Sequence, residues 1–159
     1  MRYQLKRTQQ IYCDLATAWQ FFSDPSNLGR ITPASMGFTI RQPVPTSSIY
    51  TGQVIHYTIT PLLGIPLAWT TRIIQVDPYV SFTDYQSKGP YAYWNHHHLF
   101  EANSEGGWMT DTVDYELPMG LIGRWTHTWI VKSKLEEIFD FRQQVLAKFF
   151  PKQNPENCP

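Results

Sequence analysis

The spacing of turn residues between Gly37 and Pro118 constrains this chain more than any other feature. They cut the sequence into six strand-sized runs: Gly37–Gln42, Gln53–Thr60, Leu67–Asp77, Val80–Gln86, Tyr93–Ala102 and Trp108–Leu117. The joints are short, with Asp77-Pro78 a tight turn and Asn103–Gly107 (NSEGG) a hairpin loop. A parallel pair needs a crossover of about a dozen residues or more, so runs joined this way form an antiparallel meander.

The flanks set the fold class. Tyr3–Tyr12 alternates loosely and predicts a seventh strand ahead of the others. Asp14 is placed to cap a helix over Leu15–Phe22 that turns Trp19 and Phe22 inward. Asp24-Pro25 opens a second short helix through Leu28. Thr32, ahead of Pro33, is pushed out of helical geometry and ends that segment. At the other end, Leu121–Phe150 has no proline, and no glycine after Gly123. Its apolar residues Trp125, Trp129, Leu135, Ile138, Phe139, Leu146 and Phe149 fall mostly at helical spacing, while Lys132, Lys134, Glu136, Glu137, Gln143 and Gln144 supply a solvated face. About thirty residues of helix span ~45 Å, enough to cross a sheet. Strand, two short helices, six strands and a long helix is an α+β order. One domain over 1–150 is expected, with 151–159 (three prolines, little apolar content) a disordered tail.

Charge excludes several function classes. Thirteen Lys and Arg balance thirteen Asp and Glu, and no basic cluster interrupts that balance, so no nucleic-acid partner is expected. The longest apolar run, Leu62–Trp69, is broken by Gly64 and Pro66 and is far below the ~18 residues of a membrane span. The first fifteen residues carry charges and no apolar core, so a signal peptide is not expected either. Cys13 and Cys158 sit at opposite ends, an arrangement that suits free thiols and a cytoplasmic location. Aromatic residues make up 15% of the chain, a rigid apolar load of the kind that lines cores and pockets.

The segments Phe22-Ser23-Asp24-Pro25-Ser26-Asn27-Leu28 and Ile31-Thr32-Pro33 resemble the opening of bacterial SRPBCC proteins, members of the START-like superfamily. Phe82-Thr83-Asp84-Tyr85-Gln86, Gly89-Pro90-Tyr91 and Trp94-x-His96-x-His98-x-Phe100 look like the centre of one ligand-binding subgroup. Asp111-x-Val113-x-Tyr115-x-x-Pro118 and Ile138-Phe139-x-Phe141-Arg142 continue the match, so that it runs from about Leu5 to Phe150. The resemblance implies the helix-grip fold: a curved seven-stranded antiparallel sheet wrapped around a long C-terminal helix, with a cavity between. It implies no shared catalytic residues and no cofactor.

In a meander, alternate connections lie at the same end of the sheet. One such set, Pro61–Pro66, Ser87–Ala92 and Pro118–Gly123, carries Leu62, Leu63, Ile65, Tyr91, Met119, Leu121 and Ile122. Loops normally face water and avoid such content. Two uses compete: the rim of a hydrophobic entrance, or the contact surface of a homodimer.

Strand residues two apart share a face. Trp94, His96, His98 and Phe100 share one, as do Met109, Asp111, Val113 and Tyr115, and Phe82, Asp84 and Gln86 extend the same face. If the aromatic ends point inward, the hairpin brings His98 near Asp111, while His97 and His56 face out. The group reads three ways: a buried network that satisfies itself, a patch that orients a ligand in an apolar pocket, or chemistry. The chemical versions are a metal held by His96, His98 and Asp111 or acid–base work by a His–carboxylate pair. No bound metal is expected, because the HxH spacing by itself is common.

The leading expectation is a protein for binding or transport of a small hydrophobic molecule such as a lipid, isoprenoid or aromatic polyketide. Trp69, Phe82, Asp84, Trp94, His96, His98, Phe100, Met109, Asp111, Tyr115, Arg124 and Trp125 are expected at its site. Arg124 would meet a ligand carboxylate near the mouth, and Arg142 is expected to make an ordinary ion pair. An enzyme of cyclase, dehydratase or hydrolase type using the His/Asp group is the alternative.

Overall fold

The computed structural model describes residues 1–41, 48–60, 64–118 and 130–152. Its seven strands are β1 (Arg2–Ile11), β2 (Thr39–Ile40), β3 (Val54–Ile59), β4 (Leu67–Asp77), β5 (Ser81–Lys88), β6 (Tyr93–Asn103) and β7 (Gly106–Glu116). They form one antiparallel sheet in the order β1-β7-β6-β5-β4-β3-β2. Helix α1 (Leu15–Phe22) and two 3-10 segments, Pro25–Ile31 and Ala34–Met36, follow β1, and helix α2 (Lys132–Phe149) closes the chain. The expected α+β helix-grip architecture is present.

The local reasons are those read from the sequence. The Asp14 carboxylate accepts from the Thr17 amide at 2.8 Å and starts α1. Asp24 does the same for Ser26, with Pro25 at the first position of the following turn. Between β4 and β5 the register slips at Thr70/Thr71 and again at Ile73/Gln75. Such bulges add a residue to one strand and bend it, which curves the sheet toward α2.

Several expected boundaries move: the second short helix is a 3-10 segment that runs past Leu28 to Ile31, and the strand expected over Val80–Gln86 runs from Ser81 to Lys88. The second strand shrinks from Gly37–Gln42 to Thr39–Ile40, because Ala34–Met36 folds as a 3-10 turn that ends on Gly37 in the left-handed region, φ 51°. A Cβ at Gly37 would stand 2.9 Å from Thr60 Oγ1, so the chain turns tightly against the end of β3. The NSEGG loop contracts to the two residues Ser104 and Glu105, since Asn103 pairs with Gly106 and β7 starts there. Within the predicted long helix, Lys132–Phe149 is the α-helical part among the described residues, entered through a π turn at Ile130 and Val131.

Alternation is strict on β6, where Trp94, His96, His98 and Phe100 are buried and their neighbours are not. On α2 the buried positions are Leu135, Phe139, Arg142 and Leu146, one face at spacings of four, three and four. The core divides in two along the sheet. One part gathers Ile11, Trp19, Phe22, Phe82, Phe100, Met109 and Leu146, and the other Leu5, Trp69, Trp94, Val113, Tyr115, Leu135 and Phe139. His96 and His98 stand between Trp94 and Phe100, at the seam. Among the described residues no helix is long and apolar enough to cross a membrane.

Candidate functional site

Four residues meet at that seam because register places them there. His98 lies opposite Asp111 across β6–β7, and Asp84 lies opposite His96 across β5–β6. Each imidazole then faces both carboxylates. His96 Nε2 is 3.0 Å from Asp111 Oδ1 and its Nδ1 is 3.5 Å from Asp84 Oδ2. His98 Nε2 is 3.0 Å from Asp84 Oδ2, and its Nδ1 is 2.8 Å from Asp111 Oδ1. That last pair is close but out of line for a hydrogen bond, so Nδ1 of His98 is a buried nitrogen held by charge alone. The rings are packed as well: His96 and His98 centroids are 3.8 Å apart, and Phe82 stacks on His98 at 4.0 Å.

A fifth member comes from α2. Arg142 Nη2 approaches Asp111 Oδ1 at 3.5 Å, and its buried Nε has no hydrogen-bond partner. Burial works against ionising Asp111, but the Arg142 guanidinium and the two imidazoles outweigh it and hold its carboxyl well below the usual range. Burial, then the charge of His98, pushes His96 down and favours its neutral form. Burial opposes the charging of His98 too, yet Asp111 and Asp84 prevail and raise it.

The cluster borders a cavity of about 520 Å³ between the concave sheet and α2. Of the residues expected at the site, Trp69, Phe82, Asp84, Trp94, His96 and His98 line it. Phe100, Met109, Asp111 and Tyr115 share the inward face but stand behind that lining. Phe100 packs on Trp19 and Phe22, and Met109 joins the same part of the core. Tyr115 packs on Tyr91 and Trp94. Asp111 reaches the cavity only through the histidines and Arg142. Arg124 and Trp125 lie outside the described residues, as do the loop residues Leu62, Leu63, Met119, Leu121 and Ile122. Of the expected rim, Tyr91 borders the cavity, with Pro90 and Pro118, and Ile65 is exposed.

His56 is exposed, and His97 is half-buried on the outer face, where its Nδ1 pairs with Thr83 Oγ1 at 2.9 Å. The residue the sequence reading undervalued is Arg142. It does form an ion pair, but a buried one that borders the cavity. Its position was available: it falls seven residues after Leu135 and four before Leu146, on the apolar face of the helix. The wall also includes Phe38, Tyr57 and Ile138, which the sequence reading left out of the site.

No family model matches the sequence. No curated protein matches it either. Solved structures do resemble it. Protein CV1439 from Chromobacterium violaceum aligns with a TM-score of 0.71 at 11% identity, covering 95% of this chain and 99% of that one. Major latex-like protein 151 from Panax ginseng aligns with a TM-score of 0.67 at 14% identity, over 94% and 98%. TTHA0849 from Thermus thermophilus aligns with a TM-score of 0.65 at 12% identity, over 94% and 99%. The class these likenesses define is the helix-grip fold, shared across nearly the whole of each chain.

Proposed function

We propose that this chain is a ligand-binding protein of the SRPBCC, START-like kind that holds one small, mainly apolar molecule between its sheet and α2. Lipid, isoprenoid and aromatic polyketide skeletons all suit the space. The observation that carries the reading is the cavity of about 520 Å³, walled mainly by aromatic and aliphatic side chains, with the Asp84, His96, His98 and Arg142 cluster on one side and a few scattered polar residues such as Asn27, Thr71 and Lys134 elsewhere. Small-molecule sites commonly take this form, an apolar pocket of about 300–1,000 Å³ with a few placed polar groups. Trp69, Phe82 and Trp94 would supply contact area, and Asp84, His96 and His98 would orient the ligand's polar end. Phe100, Met109, Asp111 and Tyr115 would support that lining from behind, and on sequence grounds Arg124 remains assigned to the mouth and Trp125 to the wall. Affinity would come from apolar burial, at roughly 25 cal/mol per Å² before the costs of binding. A cytoplasmic location and the absence of a nucleic-acid partner belong to the same reading.

The test is to purify the protein without added ligand, extract it with organic solvent and identify what is released by mass spectrometry. A stoichiometric apolar metabolite meets the reading and names the chemical class. An empty extract, with no uptake of a lipophilic fluorophore by the purified chain, sinks it.

One observation favours an enzyme of cyclase, dehydratase or hydrolase type: the two histidines that border the cavity each pair with a carboxylate, His98 with Asp84 in the lining and His96 with Asp111 behind it. A histidine beside a carboxylate can act as general acid or base. No serine or cysteine stands among the described lining residues to serve as a nucleophile. His98→Gln separates the two, since a binder keeps most of its affinity and an enzyme loses turnover.

A further inference from the structure

We propose that Asp84, His96 and His98 form a binding site for one divalent transition-metal ion, of the kind that takes zinc, opening onto the cavity. The inference does not rest on the ligand-binding reading and goes beyond it.

Donor geometry comes first. One donor atom from each residue lies within 4.8 Å of the other two. The Asp84 Oδ2 distances to His96 Nδ1 and His98 Nε2 are 3.5 and 3.0 Å. Metal bonds of about 2.0–2.1 Å to nitrogen and oxygen in a tetrahedron put neighbouring donors about 3.3 Å apart. The two observed edges bracket that figure.

The arrangement behind the donors fits equally well. A ligating histidine almost always gives its other ring N–H to a carboxylate or carbonyl, which fixes its tautomer. Here His96 gives Nε2–H to Asp111 at 3.0 Å, and His98 Nδ1 lies 2.8 Å from the same carboxylate oxygen, out of line for a hydrogen bond as the side chains stand but within reach of one after a small ring rotation. Arg142 approaches the same Asp111 oxygen at 3.5 Å, and Asp111 does not border the cavity, so it is the orienting group and Asp84 the ligand.

The placement of donors and acceptors leaves a place for a cation. An ionised Asp111 can only accept, so His96 Nε2 must carry the proton of their hydrogen bond. In neutral His96 the lone pair is on Nδ1, and it faces Asp84 Oδ2, another acceptor. Two carboxylates stand against one guanidinium, and the second positive charge is supplied either by a proton on His98, which faces both carboxylates, or by a metal ion in its place. The other cation lining the cavity among the described residues, Lys134, is engaged with Glu137 at 2.8 Å. Either a proton or a metal ion must separate the facing acceptors. A metal would displace the proton that His98 Nε2 now shares with Asp84, while Nδ1–H turned to Asp111. Two imidazoles and a carboxylate with a position left open is the donor set of catalytic zinc sites. All three donors line the cavity, so that open position is reachable from it.

The experiment uses the full chain, stripped with a chelator, titrated with Zn(II) by calorimetry and with Co(II) by visible absorption. The expected result is saturable uptake of one ion per chain at micromolar affinity or tighter. Co(II) should give the bands of a four- or five-coordinate ion without a thiolate charge-transfer band. Asp84→Asn and His96→Gln should each abolish that uptake, Asp111→Asn should weaken it by about 10–100-fold, and His56→Gln on the outer face should leave it unchanged. No saturable uptake by the wild-type chain would mean that protons alone fill the cluster and would overturn the proposal. Uptake that survives both Asp84→Asn and His96→Gln would overturn it as well. Should His96→Gln fail to fold by circular dichroism, the wild-type titration and Asp84→Asn decide, because Asp84 is the least buried of the three donors.

Discussion

Arg142 reaches from the inner face of α2 to place Nη2 3.5 Å from Asp111 Oδ1 in the middle of β7, both side chains about nine-tenths buried. This pair ties the helix to the sheet at the seam between the two apolar parts of the core. A buried pair contributes little over an apolar replacement, but breaking it by removing one partner is costly.

The first prediction follows from that asymmetry. Arg142→Met leaves the Asp111 charge without its main counter-ion, and Asp111→Asn leaves the guanidinium so. Each should lower the unfolding free energy by about 3–5 kcal/mol. The double variant should recover a large part of the loss. A urea-denaturation cycle on the four proteins checks it, and simple additivity would show that the two groups do not interact.

The two histidines should give the stability profile slopes of opposite sign. His96 is held below its ordinary value of 6.5, so as pH falls through that value the unfolded chain takes up a proton that the folded chain resists. Stability is therefore lost on the acid side. His98 is raised, so its contribution is complete below 6.5 and is lost as pH rises through its folded value. Asp111, held low, contributes above 3.8 and loses that contribution as pH falls further. Urea unfolding measured across this range should show a maximum near neutrality. His96→Gln should flatten the mildly acid limb, and His98→Gln the alkaline one. Unchanged limbs in both variants would contradict the assignment.

Much of this fold was legible because its signals are local. Asp14 and Pro25 fix helix starts by their own side chains, and the alternation from Trp94 to Phe100 sets which face of β6 is buried. Pairing His98 with Asp111 needed only a short hairpin and the two-residue period. The link from Asp84 to both histidines also depended on register across β5–β6, which a run of residues states weakly. Arg142 was undervalued for a different reason: charge suggests a solvated position, whereas helical phase puts it inside. Which inward residues line open space and which are packed could not be read at all. Tyr115 and Trp94 alternate alike, yet only Trp94 borders the cavity, a matter of depth and curvature.

Backbone conformation supplies a contrast between two surface-level changes. Gly106 has φ 131°, and a Cβ there would meet the Ile11 carbonyl oxygen at 2.5 Å and that of Cys13 at 2.6 Å. Gly106→Ala must therefore shift the end of β1 away from the β6–β7 hairpin. Asp14→Ala removes one helix cap, a loss of about 1 kcal/mol. Thermal melts should place Gly106→Ala clearly below Asp14→Ala, and the reverse order would mean the hairpin end is free to move.

Filling the cavity should separate open space from packed core. Ile73 is buried and borders the cavity, while Leu146 is buried and does not. In a close-packed interior, added methylenes force strained rotamers and cost about 1–3 kcal/mol. Ile73→Trp should cost less than that, because the indole has empty volume to enter, yet it should displace bound ligand. Leu146→Ala should do the opposite, losing about 2–5 kcal/mol with ligand uptake retained in the folded fraction. Urea unfolding and uptake of a lipophilic fluorophore, run on both variants, give the comparison. If Ile73→Trp destabilises like an overpacked core and leaves uptake unchanged, the space beside Ile73 is not where the ligand sits.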